Sequence, residues 1–101
     1  MSDLRVKKDI SFVGWSPMGI PIYQFSYINQ PNKRYQGTIA QAIIDIRPDA
    51  IIWRDGIMWV DYSRLDIRME ELPSTWVEED GHLNPQKGEA QPTHPPVLRL
   101  R

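Results

Sequence analysis

The hydrophobic and polar positions of this chain predict one helix and several strands, and the best-patterned stretch runs from Tyr35 to Tyr62. Apolar residues recur there at helical spacing, directly after a capping box made by Thr38 and Gln41. Pro48 ends the pattern, because its ring disfavours helical geometry at the residue before it. We therefore expect an amphipathic helix. Its apolar stripe contains Ile39, Ala40, Ile43, Ile44 and Ile46.

A hairpin is predicted directly after this helix. Asp55-Gly56 lies between two runs of β-branched and aromatic residues, which is a strong short-range hairpin signal. A two-residue turn would pair Arg54 with Ile57, Trp53 with Met58, Ile52 with Trp59, and Ile51 with Val60.

The two faces of this hairpin differ in chemistry, because residues directly opposite each other share a face. The apolar face, expected to meet the helix stripe, carries Ile51, Trp53, Met58, Val60 and Tyr62. The mixed face carries Ile52, Arg54, Trp59 and Asp61. Apolar and charged groups side by side are typical of a subunit contact, so these four residues are interface candidates.

The remaining pattern is simpler. Residues 2–10 alternate polar and apolar as a half-buried strand does, and residues 20–28 predict a second strand. Residues 29–34 (NQPNKR) indicate a polar loop, and residues 35–37 a short strand that leads into the helix. Residues 63–72 fit either a short helix or a last strand. The fold class expected is α+β: a small antiparallel sheet with a β-hairpin packed against one main helix.

Composition limits the chain to one small domain. It has 101 residues, of which 41% are hydrophobic and 10% aromatic, enough to bury a core. We assign that domain to residues 1–72. Residues 73–101 are rich in proline and glutamate with few apolar residues, so we expect a flexible, mostly irregular tail.

Charge and cysteine content exclude several classes of protein. A net charge of −1 offers no basic footprint for nucleic acid, and no apolar run reaches the roughly 20 residues that span a bilayer. The N-terminus is too polar for a signal peptide, so we expect a soluble intracellular chain without nucleic-acid or membrane partners. Without cysteine there is neither a disulfide nor a cysteine-based zinc site, which leaves self-association as the expected means of stabilising so small a domain.

Few residues suggest chemistry. His82 and His94 lie in the tail without a second ligand at metal spacing, so we expect no metal and no cofactor. A serine nucleophile needs a base, and a desolvated lysine with a lowered pKa can be one, but the spacing of Ser2 and Lys7 by itself indicates nothing. On a strand these two positions would face opposite ways, so a bend between them would be needed.

Five segments, taken in order, resemble the intramolecular chaperone domain at the C-terminus of phage tailspikes and tail fibres, the chaperone of endosialidase family. The segments are SDLRVKKDI (2–10), GIPIYQFSY (19–27), RYQGTIAQ (34–41), RPDA (47–50) and DGIMWVDYSRL (55–65). They match that family's S-D-x-R-x-K-x-x-I opening, its aromatic strand, its Y-x-G-x-x-A-Q junction, its helix end and its closing hairpin. The resemblance covers roughly residues 2–66.

The resemblance implies a trimerising module that assists assembly of an upstream tail-fibre or tailspike polypeptide and then cleaves itself free just before the motif serine. Ser2 would be the nucleophile and Lys7 its base, in a dyad that is active or vestigial. Asp3 and Arg5 would shape that site. Motif positions with an expected structural role are Gly37, Gln41, Asp61 and Tyr62. The expected location is the host-cell cytoplasm during virion assembly, or the virion tail.

Two departures from the family pattern leave alternatives open. Only Met1 precedes Ser2, so we expect a released product, a fragment cut at the processing point or a free-standing relative. The family's long C-terminal helix, which zips three chains together, is precluded by Pro73 and the prolines after it. The chain is at most a self-cleaving peptidase. The alternative function is a non-catalytic structural or protein-binding module on the same scaffold.

Overall fold

A computed structural model describes residues 1–73 and Leu98, and 46% of these residues lie in strands. They form a four-stranded antiparallel sheet in the order β1-β2-β3-β6 and a two-stranded sheet, β4-β5. The strands are β1 (Lys7–Trp15), β2 (Pro21–Tyr27), β3 (Gln30–Gly37), β4 (Ile51–Arg54), β5 (Ile57–Val60) and β6 (Glu70–Glu71). The α-helix of this described part is α1 (Ala40–Ile43). The prediction of an α+β fold built on one main helix is therefore wrong, and the described domain is mostly β.

The helix is short because its predicted cap does not form. Ile39, not Thr38, is the N-cap residue and makes no side-chain capping bond, while Thr38 Oγ1 is buried without a hydrogen-bond partner among the described residues. Gln41 is buried and its side chain bonds elsewhere. Nucleating a helix is unfavourable, and a short helix adds too few further hydrogen bonds to offset that cost. Isoleucine is β-branched and has only a moderate helix propensity. After α1 the chain turns and enters a 3₁₀ helix at Pro48–Ala50.

The second predicted strand is confirmed as β2. Its alternate residues Tyr23, Phe25 and Tyr27 are buried on one face, and their aromatic rings form the centre of the larger sheet's core. The polar loop predicted at residues 29–34 is wrong. A tight turn pairs Gln30 back with Tyr27, so these polar residues form the mostly exposed first half of β3.

The hairpin prediction is confirmed in register, since all four expected pairs between β4 and β5 are present. Asp55 and Gly56 have φ angles of 52° and 77°, the left-handed pair that a two-residue turn matching strand twist requires. Its apolar face is only partly covered. Met58 is fully buried, whereas Trp53 opposite it is 52% exposed.

Two clusters form the core and α1 lies between them. The first joins the aromatic residues of β2 to Ile39, and Leu98 packs against it. The second consists of Ile20, Ile43 and Ala50. Ile39 and Ile43 are fully buried, whereas Ile46 is 55% exposed. The first part of the predicted apolar stripe therefore belongs to the core, with Ile39 in one cluster and Ile43 in the other. Its last residue, Ile46, lies outside the core.

Beyond the hairpin the chain forms a 3₁₀ helix at Tyr62–Arg64 and then β6, which pairs with β3. Of the two alternatives for residues 63–72, the strand is present, though only at the end of the segment. The predicted tail, with His82 and His94, lies outside the described residues except for Pro73 and Leu98. No helix within residues 1–73 is long and apolar enough to cross a membrane.

Candidate active site

The N-terminal segment lies buried between the hairpin and the start of α1. The Ser2 N–H donates to the carbonyl oxygen of Met58 (3.1 Å), and the Ser2 carbonyl accepts from the N–H of Ala40 (2.7 Å). Ser2 is only 3% exposed. Its peptide groups are therefore fixed by two elements distant in sequence.

Asp3 anchors this segment. Its carboxylate is fully buried and accepts hydrogen bonds from the Gln41 Nε2 (2.9 Å), the Met58 N–H (3.0 Å) and the Arg5 guanidinium (2.8 and 2.9 Å). Arg5 reaches on to the Gly56 carbonyl (2.6 Å) and so ties the segment to the hairpin turn. These donors, the Arg5 guanidinium above all, hold the Asp3 pKa well below its usual range.

The same carboxylate bends the chain. Asp3 accepts from the Arg5 N–H (3.0 Å) and caps a 3₁₀ helix at Leu4–Val6, and β1 starts only at Lys7. Gln41 supports the turn from outside by accepting the Leu4 N–H (2.7 Å). The strand predicted from residue 2 thus begins late, and the bend required between Ser2 and Lys7 is present.

Lys7 is buried, at 6% exposure, and points back at the N-terminal segment. Its Nζ donates to the carbonyl oxygen of Met1 (2.9 Å), the carbonyl of the peptide bond just before Ser2. The ammonium also lies 4.1 Å from the ring centroid of Phe25 and 4.5 Å from that of Tyr27. Burial lowers the Lys7 pKa to about 7, although the negative charge of Asp3 acts in the opposite direction.

Tyr27 provides a second donor to the same oxygen. Its hydroxyl donates to the Met1 carbonyl at 2.8 Å. Burial raises the Tyr27 pKa to about 12, so its phenol stays protonated at neutral pH.

Tyr62 closes the other side of the site. Its hydroxyl accepts from the Thr38 N–H (3.0 Å), and hydrogen bonding to the Ser2 side chain and Thr38 partly offsets the burial that raises its pKa. A Cβ added at Gly37 would lie 2.6 Å from this hydroxyl and 2.9 Å from the Met69 sulfur. The Tyr62 hydroxyl and the Met69 sulfur therefore leave no room for a side chain at position 37, and glycine is the residue that fits there.

Most of the residues selected from sequence belong to the connected contacts that hold the N-terminal segment, and Lys7 bonds directly to the Met1–Ser2 peptide. They are Ser2, Asp3, Arg5, Lys7, Gly37, Gln41 and Tyr62. Asp61 is the exception, because its carboxylate accepts from the Ser63 N–H (3.1 Å) and hydroxyl (2.6 Å) and caps the following 3₁₀ helix.

Three of the interface candidates, Ile52, Arg54 and Trp59, lie on the two hairpin strands. Ile52 is 37% exposed and Arg54 is exposed. The Arg54 guanidinium stands 5.3 Å from the Trp59 ring centroid, so the two side chains cover each other. Trp53, assigned from sequence to the buried face, exposes more of its surface than Ile52 does.

Sequence reasoning missed the roles of Tyr27, Phe25 and Met58. The first two carry a signal, since their alternate spacing places them on one face of a strand, but nothing local indicates which group that face meets. Met58 contributes its backbone, whose N–H and carbonyl carry no side-chain signature.

Residues 1–73 contain no cluster of three or more acidic or histidine side chains that could hold a metal ion. No family model, curated protein or solved structure matches this chain. The chemistry available in the described site is that of a hydroxyl, a buried amine of near-neutral pKa and a peptide carbonyl held by two donors.

Proposed function

We propose that this chain is an assembly chaperone module of a phage tail fibre or tailspike that cleaves its own peptide bond just before Ser2. One observation carries the proposal: a buried lysine whose pKa is lowered to about 7 donates to the carbonyl oxygen of that bond. Burying an ammonium is costly, and such sites are commonly functional because a base must be partly neutral near its working pH.

The reaction balances with water as the only co-reactant. The Ser2 hydroxyl oxygen bonds to the Met1 carbonyl carbon while its proton passes to neutral Lys7. The carbon–nitrogen bond then breaks, and the Ser2 nitrogen keeps the electron pair and takes the proton from Lys7. Water hydrolyses the resulting ester, which leaves a carboxylate upstream and restores the Ser2 hydroxyl.

Cleavage is tested on a chain that carries an inert polypeptide ahead of Met1, with mass spectrometry of the new N-terminus. We expect a fragment that begins at Ser2 from the unsubstituted chain and no fragment from Ser2→Ala or Lys7→Met. Lys8→Met is the matched control, because the Lys8 side chain is 44% exposed, and it should cleave normally. An extended chain that folds and stays intact contradicts the proposed cleavage.

The chaperone part of the proposal requires self-association, with a trimer expected from the resemblance. The exposed hairpin residues Ile52 and Trp53 support it, since each face of the hairpin exposes a large apolar side chain that a contact would cover. Light scattering measures the mass directly. A stable monomer at high concentration argues against a trimerising chaperone.

The same exposed hairpin also favours the second candidate, a non-catalytic structural or protein-binding module. That module would lose a partner on Trp59→Ala and would never cleave. Cleavage at Ser2 in the extended chain decides between the two.

A further inference from the structure

The carbonyl oxygen of Met1 receives two hydrogen bonds, one from Lys7 Nζ and one from the Tyr27 hydroxyl. A peptide carbonyl has two lone pairs, so this oxygen is fully engaged. Both donors are side chains, and they meet on the carbonyl of the bond before Ser2.

Both donors come from one rung of the sheet. Lys7 and Tyr27 are directly opposite each other where β1 and β2 meet, so their side chains share a face. The Tyr27 ring is held by edge contacts with Phe25 (5.6 Å between centroids) and Tyr35 (5.1 Å). The hydroxyl is thus aimed at the carbonyl by a rigid aromatic cluster, not by a mobile loop.

Such donors matter when the carbonyl is attacked. As the Ser2 oxygen bonds to the carbonyl carbon, an electron pair moves onto the carbonyl oxygen, which becomes an alkoxide. Donors already in place stabilise that charge without reorganisation, and more strongly than in water because the site is buried. Lys7 also has to take up and return the Ser2 proton, whereas the Tyr27 hydroxyl holds the same oxygen without exchanging a proton with Ser2.

We propose that Tyr27 is a catalytic residue of this cleavage: its hydroxyl holds the carbonyl oxygen before Ser2 and stabilises the charge that develops there. This inference rests on the proposed function. The phenol loses no proton in the reaction. It differs from Lys7, whose proton moves, and from Ser2, whose oxygen forms the new bond.

The first test is the cleavage rate of Tyr27→Phe in the extended chain. Phenylalanine keeps the ring contacts and removes only the hydroxyl. Loss of one such donor slows comparable reactions about 100-fold or more, and we expect a loss of that size with no change in the midpoint of the pH–rate profile. Tyr35→Phe is the matched control, since the Tyr35 hydroxyl bonds to Gln30 (3.0 Å) instead, and it should cleave at the unsubstituted rate.

The second test reads the hydrogen bond itself. In the extended chain with Ser2→Ala the bond stays intact, and position 2 then becomes the one alanine of residues 1–101 that follows a methionine. Labelling methionine carbonyls with carbon-13 and alanine with nitrogen-15 therefore isolates the Met1 carbonyl by NMR. Adding Tyr27→Phe should move this resonance upfield, and adding Tyr35→Phe should leave it in place.

The outcomes separate the two proposals. If the unsubstituted chain cleaves and Tyr27→Phe cleaves as fast, the role of Tyr27 is refuted and the proposed function stands. An unmoved carbonyl resonance refutes it too, since the hydroxyl would not lie on that oxygen. If the unsubstituted chain does not cleave, the proposed function fails and the catalytic role of Tyr27 fails with it. A slow Tyr27→Phe chain with a moved resonance supports both.

Discussion

Burial of Lys7 should make the stability of this domain depend on pH, and Lys7→Met should remove that dependence. The Lys7 pKa falls from 10.5 to about 7 on folding because the folded chain buries the ammonium. Between these two values the unfolded chain holds a proton that the folded chain has lost. The free energy of unfolding therefore rises with pH across this window.

The magnitude follows from the same values. Each pKa unit corresponds to about 1.36 kcal/mol, so burying Lys7 lowers the free energy of unfolding by about 5 kcal/mol below pH 7, where Lys7 is charged in both states. At pH 10, where folding removes the Lys7 proton, the cost is about 1 kcal/mol. Methionine keeps the apolar stem and loses the hydrogen bond to Met1, which is worth about 1 kcal/mol. Lys7→Met should then be more stable than the unsubstituted chain by about 4 kcal/mol at pH 6, and by almost nothing at pH 10.

Urea unfolding of both chains from pH 6 to pH 10 measures this difference. The predicted change in the stability difference between those limits is about 4 kcal/mol, far above the extrapolation error. Lys8→Met provides the control, because it makes the same substitution at a side chain that is 44% exposed. A constant difference for Lys7→Met would refute the reasoning, because it would mean that Lys7 keeps its ordinary pKa in the folded chain.

Two further substitutions test the rest of the site. Asp3→Asn should destabilise the fold by about 3 kcal/mol at pH 7, because an amide cannot accept from all the donors that face the carboxylate. This loss should shrink as pH falls below the unfolded pKa of about 3.8, where the unsubstituted carboxylate also loses its advantage, and urea unfolding at pH 7 and pH 3 checks both values. Gly37→Ala should cost about 1–3 kcal/mol, since its Cβ would overlap the Tyr62 hydroxyl. Adding Tyr62→Phe should recover part of that loss in thermal melts, and additive losses would contradict the packing argument.

The hairpin could be predicted from sequence because its determinants are local. Asp55-Gly56 fixes the turn type, the turn fixes the register, and all four pairs follow. β2 was predictable for a related reason, since alternating aromatic residues need only a buried face. In both cases nothing distant in sequence competes with the local preference.

The helix could not be predicted correctly because the Gln41 side chain, expected to complete its cap, bonds to residues that are distant in sequence. Gln41, placed to complete a capping box with Thr38, instead donates to Asp3 and accepts from Leu4, residues 38 and 37 positions away. A buried carboxylate needs every donor within reach, and this need outweighs a local cap worth about 1 kcal/mol. The Asp3 carboxylate also brings Gln41, Met58 and Arg5 together next to Ser2. The hydrophobic pattern of the sequence does not indicate these contacts.

The contacts that form the site are therefore also contacts that hold the fold together. The peptide of Ser2 is held by Met58 and Ala40, Asp3 by Gln41 and Met58, and the Met1 carbonyl by a rung between β1 and β2. These contacts join segments up to 56 positions apart, so the site is incomplete until the sheet, α1 and the hairpin are all in place. Lys7 is desolvated only in that state, because in the unfolded chain it is an ordinary hydrated amine with a pKa near 10.5. Under the proposed function, cleavage before Ser2 would then report a completed fold, since the same burial that lowers the Lys7 pKa also closes the core.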